Sequence, residues 1–201
     1  MKNKIHLIIL LFISSIISVK ASVATNSNLP DNEDEFEVLM QKIRLDFAKN
    51  PSIDEALKKY NETDGSFTDV DYSSIQRTKW PPLEHVDRLY DFAFAYTNSK
   101  NKYYKDESLF TKIEKGLEYW HERNPWCHNW WYNQIAEPQR LGVLLIQLRI
   151  GEKHLNTELE NKILERIKTD GGDPAKWTGA NRTDIVYSST FQPFSEYRLI
   201  H

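Results

Sequence analysis

The stretch PPLEHVDRLYDFAFAY, residues 81–96, decides the fold class. Leu83, Val86, Leu89, Tyr90, Ala93 and Phe94 recur every three or four positions, the spacing that gathers side chains on one face of an α-helix. The helix is expected to begin after Pro81 and Pro82, because a proline at a helix start gives up no hydrogen bond. Working outward, the same period returns at Phe36, Leu39, Met40, Ile43 and Phe47, and at Leu109, Ile113, Leu117 and Trp120 over about 106–122. Pro125 in RNPW should stop that helix. Another is expected over about 130–150, split or kinked at Pro138, with its LGVLLIQLRI half apolar on nearly every side and therefore buried. Leu155, Leu159, Ile163 and Ile167 form a further stripe. SIDE at 52–55 reads as a capping box, with Ser52 at the N-cap of a short helix through Leu57 and Tyr60. ETDGSF at 62–67 reads as a loop. No alternating strand pattern stands out. The chain is all-α, built from helical hairpins of roughly 40 to 50 residues.

Composition narrows the function classes. The 201 residues carry a formal net charge of −3, so no basic field points to nucleic acid. Seven glycines argue against a Gly-rich nucleotide loop, and Cys127, as the single cysteine, excludes an internal disulfide. Lys2 and Lys4, the apolar run 5–19 and the small residues ending at Ala21 or Ala24 make residues 1–24 a signal peptide. Residues 25–34 read as a flexible leader and 35–201 as the helical domain. No later segment is apolar enough to span a bilayer, so the expected location is secreted or periplasmic.

Two clusters carry the chemistry. In HNWWYNQIAEPQRLG, 128–142, Trp130 and Trp131 stand side by side with Trp126 just before them, ringed by Asn129, Tyr132, Asn133 and Gln134. Pyranose rings present sheets of C–H groups that stack on indole faces, while neighbouring amides pair with sugar hydroxyls. Asn129 is placed to cap a helix whose first turn holds the indoles. The competing reading packs these tryptophans between helices. The second cluster is WTGANRTDI, 177–185, where Gly179 permits a tight turn and Asn181 and Arg182 can meet a carboxylate. A seventh helix is expected to start near Asp184 and break at Pro193. No His, Asp or Glu spacing matches a metal ligand set, and no cofactor is expected.

NWWYNQIAEPQRLG and TGANRTDI resemble motifs of polysaccharide lyase family 8, the group of hyaluronate, chondroitin AC and xanthan lyases. The likeness runs from about 36 to 187 and includes DGSFTDVDY, 64–72, and TKWPP, 78–82. It implies an incomplete (α/α) toroid with a long cleft for an acidic polysaccharide of glycosaminoglycan type, cleaved by β-elimination. By resemblance Asn181 neutralises the uronate carboxylate, Arg182 adds charge, and Trp126, Trp130, Trp131, Asn129, Asn133 and Gln134 bind the sugar chain. The family's base and acid, a His and a Tyr downstream of TGAN, have no counterpart here, because His201, Tyr187 and Tyr197 lie in unmatched contexts. The expectation is a truncated N-terminal toroid portion that binds without cleaving and is prone to association. A non-catalytic glycan-binding module and a purely structural helical domain are the alternatives.

Overall fold

The computed structural model describes residues 35–149 and 153–171, with side chains over 37–149 and 153–169. The expected signal peptide and leader, the TGAN cluster with Asn181 and Arg182, and the seventh helix lie outside the described residues. The chain divides into two units, Met1–Val38 and Leu39–His201. Of the first, only the opening turn of helix α1 (Glu35–Asp46) is described. The second holds the rest of α1 and α2 (Asp54–Lys59), α3 (Leu83–Thr97), α4 (Glu107–Arg123), a π-helical turn (Tyr132–Ala136), α5 (Glu137–Leu148) and α6 (Thr157–Gly171). Among the described residues the only β pairing is an isolated antiparallel bridge between Tyr60 and Phe67.

Helix α3 packs against both α4 and α5, and α6 packs against α4 and α5. This explains why α3 is buried more widely than its stripe requires. Val86, Leu89 and Ala93 are inaccessible, and so are Phe92, Ala95 and His85 off the stripe. The apolar run Leu141–Leu148 of α5 is buried throughout, as its sequence implies. Leu155, Leu159, Ile163 and Ile167 of the α6 stripe are buried as well. Each fully buried Leu, Ile or Phe contributes roughly 1.5–3 kcal/mol, whereas exposed ion pairs such as Lys162–Glu158 add little. The apolar faces therefore hold the helices together. Gly116 lets α3 and α4 approach closely, since a Cβ there would lie 2.6 Å from a methyl of Leu89.

Local chemistry sets the helix ends. Asp106 caps α4 by accepting from the backbone N–H groups of Ser108 at 2.8 Å and Leu109 at 3.0 Å. At the other end Asn124 adopts a left-handed conformation (φ 44°) just before Pro125. The capping box at 52–55 is corrected. Ile53, 2% exposed, takes the N-cap place of α2 and no side chain caps it, so burying Ile53 prevails over a hydroxyl cap from exposed Ser52. Glu55 turns instead to Lys58. The helix stops at Lys59, because Tyr60 extends to pair with Phe67 and its hydroxyl donates to the Lys112 carbonyl at 2.9 Å. In the intervening loop Gly65 holds φ +82° against the Lys115 carbonyl, where no side chain fits.

Candidate functional site

The tryptophan-bearing segment runs from the end of α4 to the start of α5. Trp126 is 58% exposed and Trp130 44% exposed, while Trp131 is half-buried. Trp126 and Trp130 are therefore open to solvent, against the reading that packs them between helices, while Trp131 is partly packed. Asn129 caps the turn beginning at Trp130. Its Oδ1 accepts from the Trp131 N–H at 3.2 Å and its Nδ2 donates to the Arg77 carbonyl at 2.9 Å.

Asn133 takes a place that the sequence reading did not foresee. It is 1% exposed; its Oδ1 accepts from the Cys127 N–H at 2.9 Å and its Nδ2 donates to the Cys127 carbonyl at 2.7 Å. Both ends of the amide are bound to the backbone of one residue, so Asn133 is corrected from a sugar contact to a brace. Cys127 itself is buried and its thiol donates to the Gln76 carbonyl at 3.4 Å. Gln134 is half-buried.

The break expected at Pro138 takes the form of the π turn. Pro138 has no N–H to donate, and its ring would clash with the Gln134 carbonyl in a regular α-helix. One residue is accommodated by widening the preceding turn, where the Glu137 N–H donates to the Tyr132 carbonyl. The helical path continues from Trp130 to Leu148, and the widened turn lies between the indoles and the buried half of α5.

Behind the indoles runs a line of aromatic rings. Trp131 meets Tyr132 edge-on at 5.2 Å, Tyr132 lies 5.9 Å from Trp80, and Trp80 lies 6.2 Å from Trp120. Trp120 stacks on His85 at 5.4 Å. The rings connect an exposed surface to the core through rigid groups with few rotatable bonds. Beneath Trp120 lies a buried ion pair. Glu137, 1% exposed, accepts from Trp120 Nε1 at 2.8 Å and from Arg166 Nε.

His85 is fully buried between a Tyr72 hydroxyl at 2.7 Å from Nδ1 and the Gly116 carbonyl at 2.9 Å from Nε2. The carbonyl can only accept, which places the ring proton on Nε2 and makes Tyr72 the donor to Nδ1. Burial pushes the imidazole down to about 4, against the opposing pull of the Gly116 carbonyl, so the ring is neutral. His121 is half-buried, and His128 and His154 are exposed. No group of three His, Cys, Asp or Glu among the described residues could hold a metal ion, and no described helix is long and apolar enough to cross a membrane.

Arg166 and Glu137 escaped the sequence reading, although a signal existed. Position 166 lies on the same helical face as Leu159 and Ile163, and a charge on a core-facing stripe must find a buried partner. His85 sits beside Val86 and Leu89 in the same way.

Fold and site together define an all-α domain of stacked hairpins that presents exposed Trp126 and Trp130 beside a half-buried Trp131, from which aromatic rings lead into the core. The family pattern described as polysaccharide lyase family 8, N terminal alpha-helical domain, matches residues 25–193, and the chain belongs to that family. It is 40% identical over 154 residues to the chondroitinase-AC of Pedobacter heparinus, covering 75% of this chain and 22% of that one. A solved chondroitinase AC lyase, studied as enzyme–oligosaccharide complexes, superposes with a TM-score of 0.69 at 35% identity, over 81% of this chain and 26% of that one. The fold is accordingly of the (α/α) toroid class, and the chain spans about a quarter of the length of these relatives.

Proposed function

We propose that this chain is a substrate-gripping part of a secreted or periplasmic polysaccharide lyase that takes uronic-acid-containing polymers of chondroitin or hyaluronan type. The observation that carries the reading is the exposed indole of Trp130, with exposed Trp126 close by in the chain, beside a half-buried Trp131 that Tyr132 supports edge-on. Stacking on sugar C–H faces needs rings that are exposed and already in place, because ordering a mobile side chain costs binding energy. Asn129 and Asn133 serve this reading as supports that hold the turn, with the indoles as the contacts. Family resemblance assigns the carboxylate to Asn181, with Arg182 adding positive charge.

In the chemistry that this implies, a base removes the C5 proton beside the uronate carboxylate. The C5–H electrons form the C4=C5 double bond as the C4–O bond breaks, and the leaving oxygen takes a proton. Neutralising the carboxylate stabilises the developing charge. In the hydrogen bond from Tyr72 to His85, Tyr72 is half-buried but His85 is fully buried with both ring nitrogens already bonded, so this imidazole cannot reach a sugar. This favours a second reading of the 201 residues by themselves, as a module that binds glycan without turning it over.

Titration with chondroitin and hyaluronan oligosaccharides, followed by tryptophan fluorescence, tests the proposal. Trp130→Ala and Trp131→Ala are each expected to weaken binding by about tenfold, or ~1.4 kcal/mol. Fluorescence that no acidic oligosaccharide alters would instead make the indoles structural. For location, N-terminal sequencing of exported protein is expected to begin at Ser22 or Thr25.

A further inference from the structure

The segment that carries Trp126, Trp130 and Trp131 has two stems, and one side chain holds both. Arg166 comes from α6, is 7% exposed, and lies with its guanidinium 5.2 Å from the Trp120 ring. At the entry stem Nη2 donates to the Pro125 carbonyl at 3.0 Å and Nη1 donates to Asn124 Oδ1. At the exit stem Nε donates to Glu137 Oε1, the same oxygen that accepts from Trp120. Between the stems the Asn133 amide closes the loop on Cys127.

We infer that Arg166 is a positioning residue for the sugar-facing indoles, a role that rests on the binding proposed above. Stability alone does not account for the arrangement. A buried ion pair can often be replaced by apolar groups of similar volume without loss, since desolvation offsets much of the attraction. Apolar groups cannot fix two chain stems at hydrogen-bond distances from one plane. A planar guanidinium with donors in a rigid fork does so, and a lysine ammonium does not. Because the indoles lie between these stems, a slack fork changes their spacing and tilt while the helical core persists.

The test uses the full chain labelled with 5-fluorotryptophan, as wild type, Arg166→Lys and Asn124→Gly. Helix content is followed by circular dichroism, and chondroitin oligosaccharide binding by calorimetry. For Arg166→Lys the expected result is unchanged stoichiometry, affinity weakened by about tenfold, and shifted or broadened fluorine resonances of Trp126, Trp130 and Trp131. A purely structural role predicts the reverse: stoichiometry falls with the unfolded fraction while the remaining protein binds normally. That result, or resonances and affinity like those of wild type, overturns the inference. If Arg166→Lys does not fold, Asn124→Gly decides. Glycine keeps the left-handed conformation at φ 44° and deletes one acceptor. It is expected to weaken binding by about threefold and to move the same resonances, and wild-type behaviour overturns the inference. If wild-type protein binds no oligosaccharide, the proposed function fails, whereas the fluorine spectra still judge the role of Arg166 in holding the indoles.

Discussion

The Asn133 amide, bonded on both sides to the Cys127 backbone, illustrates the limit of reading residue types singly. An amide beside two indoles suits a sugar hydroxyl, and it equally suits a bare peptide unit in a tight segment. Asn133→Ala would strand the N–H and the carbonyl of a buried residue. We expect a loss of about 2–3 kcal/mol in chemical denaturation. His85 gives a second prediction at this scale. Its folded value of about 4 lies below the unfolded value near 6.5, so the unfolded chain binds more protons between them. The contribution is complete above about pH 6.5 and is lost as the pH falls toward 4, by about 3 kcal/mol. Asp87 and Glu114, raised by burial, act in the opposite sense at the lower end of that window. The readout is therefore the comparison with His85→Gln, whose stability should be lower at neutral pH and should depend less on pH from 6.5 to 4. An equal slope in both proteins would contradict the assignment.

At the scale of elements, apolar period located the helices well, because a face that must be buried leaves its mark every three or four residues. The short helix α2 was less legible. Its start depends on burying Ile53, and its end on Tyr60, which pairs with Phe67 across a short loop and donates to the Lys112 carbonyl, a partner distant in sequence. The π turn was only half visible. Pro138 announced an interruption, but its form follows from a continuous helix docking on α3 and α6. The contact of α3 with α4 yields a direct test. Gly116→Ala places a methyl 2.6 Å from Leu89, in a packed interface with little room to yield. We expect a loss of about 1–3 kcal/mol with helix content retained, measured by urea unfolding. Asp106→Ala, which removes the α4 cap, should cost about 1 kcal/mol by the same measurement.

For the whole molecule, binding and turnover are expected to separate. The 201-residue chain incubated with chondroitin or hyaluronan should give no rise in unsaturated-uronate absorbance, while binding remains sensitive to Trp130. A rise in absorbance would place the proton-transfer groups within these 201 residues. The sequence by itself determined the helical class, through the period of its apolar residues, and the place of the indole cluster, through the rarity of adjacent tryptophans among amides. Both are local patterns along the chain. Only the tertiary structure decided which polar residues face solvent and which are consumed inside, as with Asn133, His85, Glu137 and Arg166. The physical reason is that a buried polar group is satisfied by whatever donor or acceptor the fold brings beside it, and that neighbour can lie far away in sequence.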